Sequence, residues 1–498
     1  MIYPLLLPAA VVLQQAISWV EPPGFVRPLL VSIGSAGIVM AVLTLALRRV
    51  AVAGLLTLLI GLMLFSRDPI LAFLTLLRDT LGIQAATVVL GVMVFLLTAG
   101  LVFAYLLNRR GSLRTPSMST VTSGLNAFSL LLLAVILVPA VPQIPGWVSD
   151  AVPRQRAAAV DAPPPDVFLF VLDEYPRSDE LDRLFGIAND DFTDDLSARG
   201  FTVDPSSHSN YTYTALTLIS MLELQHLSAE TDLETNDEAL RTRLRAALRN
   251  GAGMRALRDA GYRIVATAPG WEHVALRAGV DQYVDRPELT DLERIVLQRT
   301  WIPDLPPVPG DLFFRDLHAR VTGILDDAGR VAEEAGEQPV FTFVHVPAPH
   351  LPFAFGADGG PAAFTSREYG AGRPSEFGLT ADGFARTYEQ SLNGLNQRLL
   401  QTIDRVLVAA PDAVVVVMSD HGYRGDAPVH GPEHLRNLLA FRTPGAPDLL
   451  TGVTPVNLIR ALLDEYAGLD LGEPVPDRYF TTEIDGTHWT LREISDPG

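Results

Sequence analysis

Apolar residues fall into two regimes along this chain. Up to residue 147 they form long runs, roughly 3 to 20, 28 to 47, 50 to 65, 84 to 107 and 122 to 142, where a helix needs about 20 residues to span hydrocarbon. The third run is short, and the neighbouring stretch 68 to 81 has an amphipathic pattern. Beyond residue 165 the runs shrink to strand length and alternate with helical patterns. Strands are expected at 166–172, 263–268, 340–344, 414–418 and 437–441. The run Val414, Val415, Val416, Val417, Met418 is apolar on both faces, as a strand inside a parallel sheet requires. Helical patterns cover 179–199, closed by Gly200, a stretch ending near Gly261, then 380–410 and 453–466. The alternation predicts an α/β domain with a mostly parallel sheet and helices on both faces. Three regions follow: membrane helices over 1–147, an Ala/Pro-rich linker over 148–165, and the α/β domain over 166–498. The glycine-rich stretch 356–380 is a loop that could close over a site.

Charge separates the same regions. Residues 1–160 carry ten Arg and four acids; the remainder carries 28 Arg and 53 acids, and the chain has no Lys. Arg48 and Arg49 follow the second apolar run, and Arg109, Arg110 and Arg114 follow the fourth. The positive-inside rule makes both loops cytoplasmic, so five spans leave the C-terminal domain outside. No basic stretch precedes the first run, which therefore reads as a membrane segment and not a cleavable signal. An acidic domain offers nothing to release the counterions of a phosphate backbone, which excludes nucleic acid. With no Cys there is no disulfide, thiolate ligand or thiol nucleophile.

Candidate chemistry sits where strands end, the place open α/β sheets bind ligands. The first strand of the domain releases Asp173 and Glu174, the one at 340–344 runs into His345 and His350, and the one at 414–418 releases Asp420 and His421. His430 and His434 follow on a Gly/Pro loop, so five of the ten His lie in two short stretches. Such carboxylate and imidazole sets are metal ligands or acid/base groups. The segment 209–221 adds hydroxyls: a polar turn enters an apolar helical pattern, placing one of Thr212, Thr214 or Thr217 at a helix N-terminus. Thr becomes a nucleophile when a metal or base takes its proton.

These ordered motifs (an acid after the first strand, the Thr segment, His345-x-x-x-x-His350, Asp420-His421-Gly422, a later His) resemble the alkaline phosphatase and sulfatase superfamily. The resemblance is greatest to membrane-anchored transferases of the lipoteichoic acid synthase and lipid A phosphoethanolamine transferase kind. It implies an alkaline-phosphatase-like (sulfatase-like) domain behind about five transmembrane helices, in a multi-pass cell-membrane protein with the catalytic domain extracytoplasmic. It further implies Thr214 as nucleophile, with Asp173, Asp420 and His421 sharing a metal with it. His350 and His430 then bind the substrate phosphate or a second metal and take part in catalysis, with His345 and His434 nearby. The stretch Thr214-Ala215-Leu216-Thr217-Leu218 lacks the Pro and Arg of true sulfatases, whose formylglycine arises from Cys or Ser. Mixed carboxylate and imidazole ligation suits Zn²⁺ or Mn²⁺. The expected reaction moves a phosphodiester-linked group from a membrane lipid to an envelope glycan or lipid through a phospho-threonine. A hydrolase of phosphate or sulfate esters, with water as acceptor, is the second expectation. A catalytically inactive receptor or scaffold is the third.

Overall fold

The computed structural model describes residues 1–16, 22–65, 67, 116–138, 141, 163–227, 234–277, 279–364, 377–425, 431–485 and 488–495. The chain forms two compact units, Met1–Ser149 with Leu289–Gly310, and Asp150–Glu288 with Asp311–Gly498.

In the first unit the N-terminal segment contributes four described helices: α1 (Tyr3–Ala16), α2 (Pro22–Leu47), α3 (Val50–Leu64) and α4 (Pro116–Leu137). Leu13 of α1 packs against Phe25, Leu29, Leu133 and Ile136, and α3 lays Val52 and Leu56 on Leu43 and Leu47. Asn126 of α4 accepts hydrogen bonds from the Ile2 and Tyr3 amides, both at 3.1 Å, which satisfies donors that α1 leaves open at its start. Among the described residues two helices are long and apolar enough to cross a membrane, Gly24–Leu47 and Thr120–Leu137. Their apolar side chains face outward, with Leu30, Leu45, Phe128 and Leu131 all exposed. The other two apolar helices described are shorter, α1 with 14 residues and α3 with 15, against the ~20 that hydrocarbon requires. The fourth expected run, 84–107, the amphipathic stretch 68–81 and most of the linker, 148–162, lie outside the described residues.

Residues 289–310, which by sequence order fall in the C-terminal domain, pack instead with the N-terminal helices. The helix Asp291–Gln298 begins with a capping box between Thr290 and Glu293. It sets Leu292 and Val296, an i,i+4 apolar pair, against Val12 and Ala16. Glu293 also binds Arg27, whose Nε donates to Oε1 at 2.6 Å.

The second unit is built on a seven-stranded sheet. In chain order its elements begin with β1 (Val167–Asp173), α5 (Ser178–Phe185), α6 (Asp190–Ala198), β2 (Thr202–Val203) and α7 (Thr214–Glu223). Then come β3 (Glu234–Asn236), α8 (Asp237–Asn250), α9 (Ala252–Asp259), β4 (Arg263–Thr267), β5 (Gln282–Val284), α10 (Leu312–Glu333) and β6 (Val340–Pro349). The chain ends with α11 (Ala381–Ala409), β7 (Val414–Ser419), β8 (Leu439–Arg442), α12 (Pro455–Ala467), β9 (Tyr479–Asp485) and β10 (His488–Ile494). The strand order is β2-β8-β7-β1-β6-β4-β5, and β7, β1, β6, β4 and β5 run parallel. The strand expected at 437–441 is β8, and it runs antiparallel to β7 on one side and to the edge strand β2 on the other. The single helix expected over 179–199 is two, because Gly186 closes α5 in a left-handed conformation, φ 66°. A second sheet, β3-β10-β9, is antiparallel.

Side-chain alternation decides which strand residues meet. Val167, Leu169 and Val171 of β1, Phe341 and Phe343 of β6, and Val414, Val416 and Met418 of β7 share one core with residues of α7, α8, α9 and α12. Continuing each strand by two places on that face reaches Asp173, His345 and Asp420. Helices α10 and α11 pack against β6 and each other.

Candidate active site

The carboxyl ends of β1, β6 and β7, the three central strands, bring the expected residues together. Val171 pairs with both His345 and Met418, and Leu172 pairs with Ser419. At Asp173 the β1/β6 register shifts so that Asp173 pairs with Pro349. Asp420 Oδ1 is engaged by two backbone amides, Glu174 N at 3.0 Å and His421 N at 2.9 Å. Its Oδ2 has no hydrogen bond among the described residues and lies 3.3 Å from His421 Nε2. The His421 ring is oriented by Nδ1, which donates to the Gly422 carbonyl at 2.8 Å and leaves Nε2 with its lone pair.

Thr214 is the first residue of α7, and its hydroxyl lies 3.5 Å from both Asp173 Oδ2 and His421 Nε2. The other threonines of the segment are committed elsewhere. Thr212 Oγ1 is hydrogen-bonded to Thr482, and Thr217 Oγ1 donates to the Asp420 carbonyl at 3.0 Å. The segment is held in place by β9: Tyr211 stacks on Phe480 with ring centroids 5.1 Å apart and planes 5° from parallel.

Asp173, Asp420 and His421 offer ligand atoms all within 4.8 Å of one another. The spacing suits a shared ion, because bonds of about 2.1 Å to one tetrahedral centre leave ligand atoms about 3.4 Å apart. The donors suit it too: Asp173 Oδ1 and Asp420 Oδ2 are buried and have no hydrogen-bond partner among the described residues. Burial and the Asp420 charge push the Asp173 carboxyl well above the usual carboxylate range. Burial, with help from the Arg424 charge, pushes His421 well below its ordinary value, so it is a neutral imidazole fit to be a ligand.

His345 differs from its expected place at a strand end. Strand β6 continues to Pro349, so His345 lies inside it with 1% of its side chain exposed and Nε2 3.6 Å from Asp173 Oδ2. Neither ring nitrogen has a hydrogen bond among the described residues, and burial lowers its pKa to about 4. His350 is at the surface of the site, 20% exposed, with Nε2 3.5 Å from Glu174 Oε2. Asp173, Glu174 and His350 form a second set able to hold a cation. Asp173 thus belongs to both sets and Glu174 to one. His434 lies in a short 3₁₀ turn, Pro432–Leu435, where its Nδ1 accepts from the Gly431 amide at 2.7 Å. It belongs to neither cation-capable set among the described residues. His430 and the stretch 365–376 of the glycine-rich loop lie outside the described residues.

Two site residues escaped the sequence argument. Arg424 touches both Glu174 and His350, and Trp271 sets its ring edge-on to His350 at 5.0 Å. The signal for each was present. Trp271 follows the end of β4, on the same sheet edge, and Arg424 lies three residues beyond His421.

No family model matches this sequence, and no curated protein does. Solved structures do. The C-terminal periplasmic domain of EptC from Escherichia coli, in complex with Zn, is similar at 14% identity, covering 64% of this chain and 87% of that one, with a TM-score of 0.40. The integral membrane lipooligosaccharide phosphoethanolamine transferase A (EptA) from Neisseria meningitidis is similar at 13% identity, with coverages of 74% and 69% and a TM-score of 0.36. The lipoteichoic acid synthase LtaP from Listeria monocytogenes is similar at 13% identity, with coverages of 68% and 86% and a TM-score of 0.38. The two kinds of transferase named from the motifs are both represented among these likenesses.

Proposed function

We propose that this chain is a membrane-attached, metal-dependent transferase that moves a phospho-alcohol group from a lipid donor to an envelope glycan or lipid through a covalent intermediate on Thr214. One observation carries it: a hydroxyl at the first position of a helix, 3.5 Å from two ligand atoms of a cation-capable cluster, with the other hydroxyls of its segment occupied. Asp173, Asp420 and His421 would hold Zn²⁺ or Mn²⁺, which when bound would supply the charge that lowers the pKa of a neighbouring hydroxyl. The positive end of the α7 dipole stabilises the negative charge that Thr214 develops. Thr214 Oγ1 forms a bond to phosphorus as the bond to the lipid alcohol breaks, and the alcohol leaves with a proton. His350 lies on the substrate side of the cluster and contacts the phosphoryl oxygens. An acceptor hydroxyl then takes the group, returning Thr214 to its starting state. The arginines at 48, 49, 109, 110 and 114 support a reading with the catalytic unit on the extracytoplasmic side. Water as acceptor makes the same residues a hydrolase.

The test is intact-mass analysis of the full chain in detergent, incubated with Zn²⁺ or Mn²⁺ and a panel of phospholipids. A phospho-alcohol adduct is expected on the wild type and none on Thr214→Ala, whose metal content is unchanged. Turnover persisting in Thr214→Ala would falsify the mechanism. Release of free phospho-alcohol with no modified acceptor assigns the hydrolase.

A further inference from the structure

Residues 289–310 belong to the unit of the apolar helices, although the chain on either side, Glu288 and Asp311, belongs to the other unit. The segment meets one end of those helices. Leu292 and Val296 pack with Val12 and Ala16 near the close of α1, with Phe25 and Leu29 near the start of α2, and with Phe65 just after α3. Arg27 forms an ion pair with Glu293. Arg67 donates from Nε to Asp304 Oδ2 at 3.2 Å and from Nη1 to the Gln298 carbonyl at 3.1 Å. Arg48 and Arg49 join the opposite ends of α2 and α3, so on the positive-inside reading the segment caps the outer ends.

Beyond the helix Asp291–Gln298 the segment becomes apolar and exposed together. The stretch 301–310 carries one charged residue, Asp304, and Arg67 neutralises it. Leu305 is 50% exposed, Pro306, Pro307 and Pro309 are exposed, and Ile302 and Val308 are half-buried. The backbone is as short of free donors as the side chains are of charge. Pro303, Pro306, Pro307 and Pro309 have no N–H. Every other amide from 302 to 309 is bonded inside the segment: Ile302 to Thr300 Oγ1 at 3.2 Å, Asp304 to the Trp301 carbonyl at 3.0 Å, Leu305 to the Ile302 carbonyl at 3.1 Å and Val308 to the Leu305 carbonyl at 2.9 Å. No amide donor there depends on water, which is what a chain entering a water-poor medium requires.

We propose that residues 301–309 form an interfacial element that lies in the headgroup zone of the bilayer, with Leu305 and Val308 turned to the acyl-chain boundary. The partner is a lipid surface and not a protein, because the loop is fixed to the end of α2, whose apolar side chains Leu30 and Leu45 also face outward. This placement rests on the membrane attachment proposed above and is independent of the chemistry at Thr214.

The chain has no Cys, so Leu305→Cys and Val308→Cys each accept a single environment-sensitive fluorophore. The labelled full chain is placed in nanodiscs of phosphatidylethanolamine and phosphatidylglycerol, with or without nitroxide groups on the lipids close to the headgroup, and iodide serves as the quencher in water. Nitroxide lipid is expected to remove more than half of the emission at both positions, and iodide to remove little. Quenching by iodide without quenching by nitroxide leaves the loop in water, and protection from both leaves it under protein, of this chain or of a partner; either result overturns the proposal. A chain that does not enter nanodiscs overturns the membrane attachment itself, and the proposal falls with it, whereas a chain that enters with both labels in water overturns the proposal alone.

Discussion

Asp173 and Asp420 end adjacent strands with no water-exposed surface, each with one oxygen that has no hydrogen bond among the described residues. Two such carboxylates oppose folding unless something positive sits between them. Asp173 has a folded pKa raised above its unfolded value, so its favourable contribution is complete below the ordinary carboxylate range and is lost as pH rises through the raised value. Metal-free protein bears that penalty at neutral pH. We therefore expect Asp173→Asn to raise the melting temperature of chelator-treated protein by a few degrees, at about 2–4 °C per kcal/mol, while abolishing the further rise on adding Zn²⁺. Thermal scans with and without chelator check both halves, and a lower melting temperature for the metal-free variant contradicts the account. Gly422 is constrained for a different reason: a Cβ there would meet the Arg436 carbonyl at 2.6 Å and that of His434 at 3.1 Å. Gly422→Ala is expected to cost about 1–3 kcal/mol, read from denaturant melts, and to reduce Zn²⁺ affinity because the Gly422 carbonyl orients His421. The sequence marked Asp173, Asp420 and His421 because a strand pattern ran directly into them. Arg424 went unmarked, since a basic residue in a polar loop carries no periodicity to identify it.

At the scale of elements, the site depends on two supports that are distant in sequence. The sheet carries Asp173, Asp420 and His421, while α7 carries Thr214 and is positioned by β9 through the Tyr211–Phe480 stack. This separation predicts a split effect. Phe480, 1% exposed, replaced by Ala should cost about 3–5 kcal/mol and lower kcat, with the Zn²⁺ to protein ratio unchanged under native conditions. Elemental analysis beside kinetics measures it; loss of metal would mean that the two supports are not separable. The strands of the parallel core were legible because each is a short apolar run with polar ends. Where an element's limits depended on neighbours, the pattern was silent. Strand β6 runs on through His345 and Pro349 because β1 pairs with it that far. The direction of β8 is set by its partner β7, which no local pattern encodes.

Over the whole molecule, metal, protons and stability are linked. A divalent ion competes with protons for Asp173, so the gap in melting temperature between Zn²⁺-loaded and chelated protein should widen from pH 5 to pH 8. A gap that stays constant over this range would argue against Asp173 as a ligand. The chain alone determined the division into apolar helices and an acidic α/β unit, the parallel core, and the strand ends that carry the chemistry. These follow from local hydrophobic period and strand polarity. Tertiary structure decided which hydroxyl faces the carboxylates, that Asp173 belongs to both cation-capable sets and Glu174 to one, that Arg424 stands between Glu174 and His350, and that residues 289–310 join the N-terminal helices. Each of these is a contact between segments far apart in sequence, set by strand register and packing, and neither is written into any local stretch of residues.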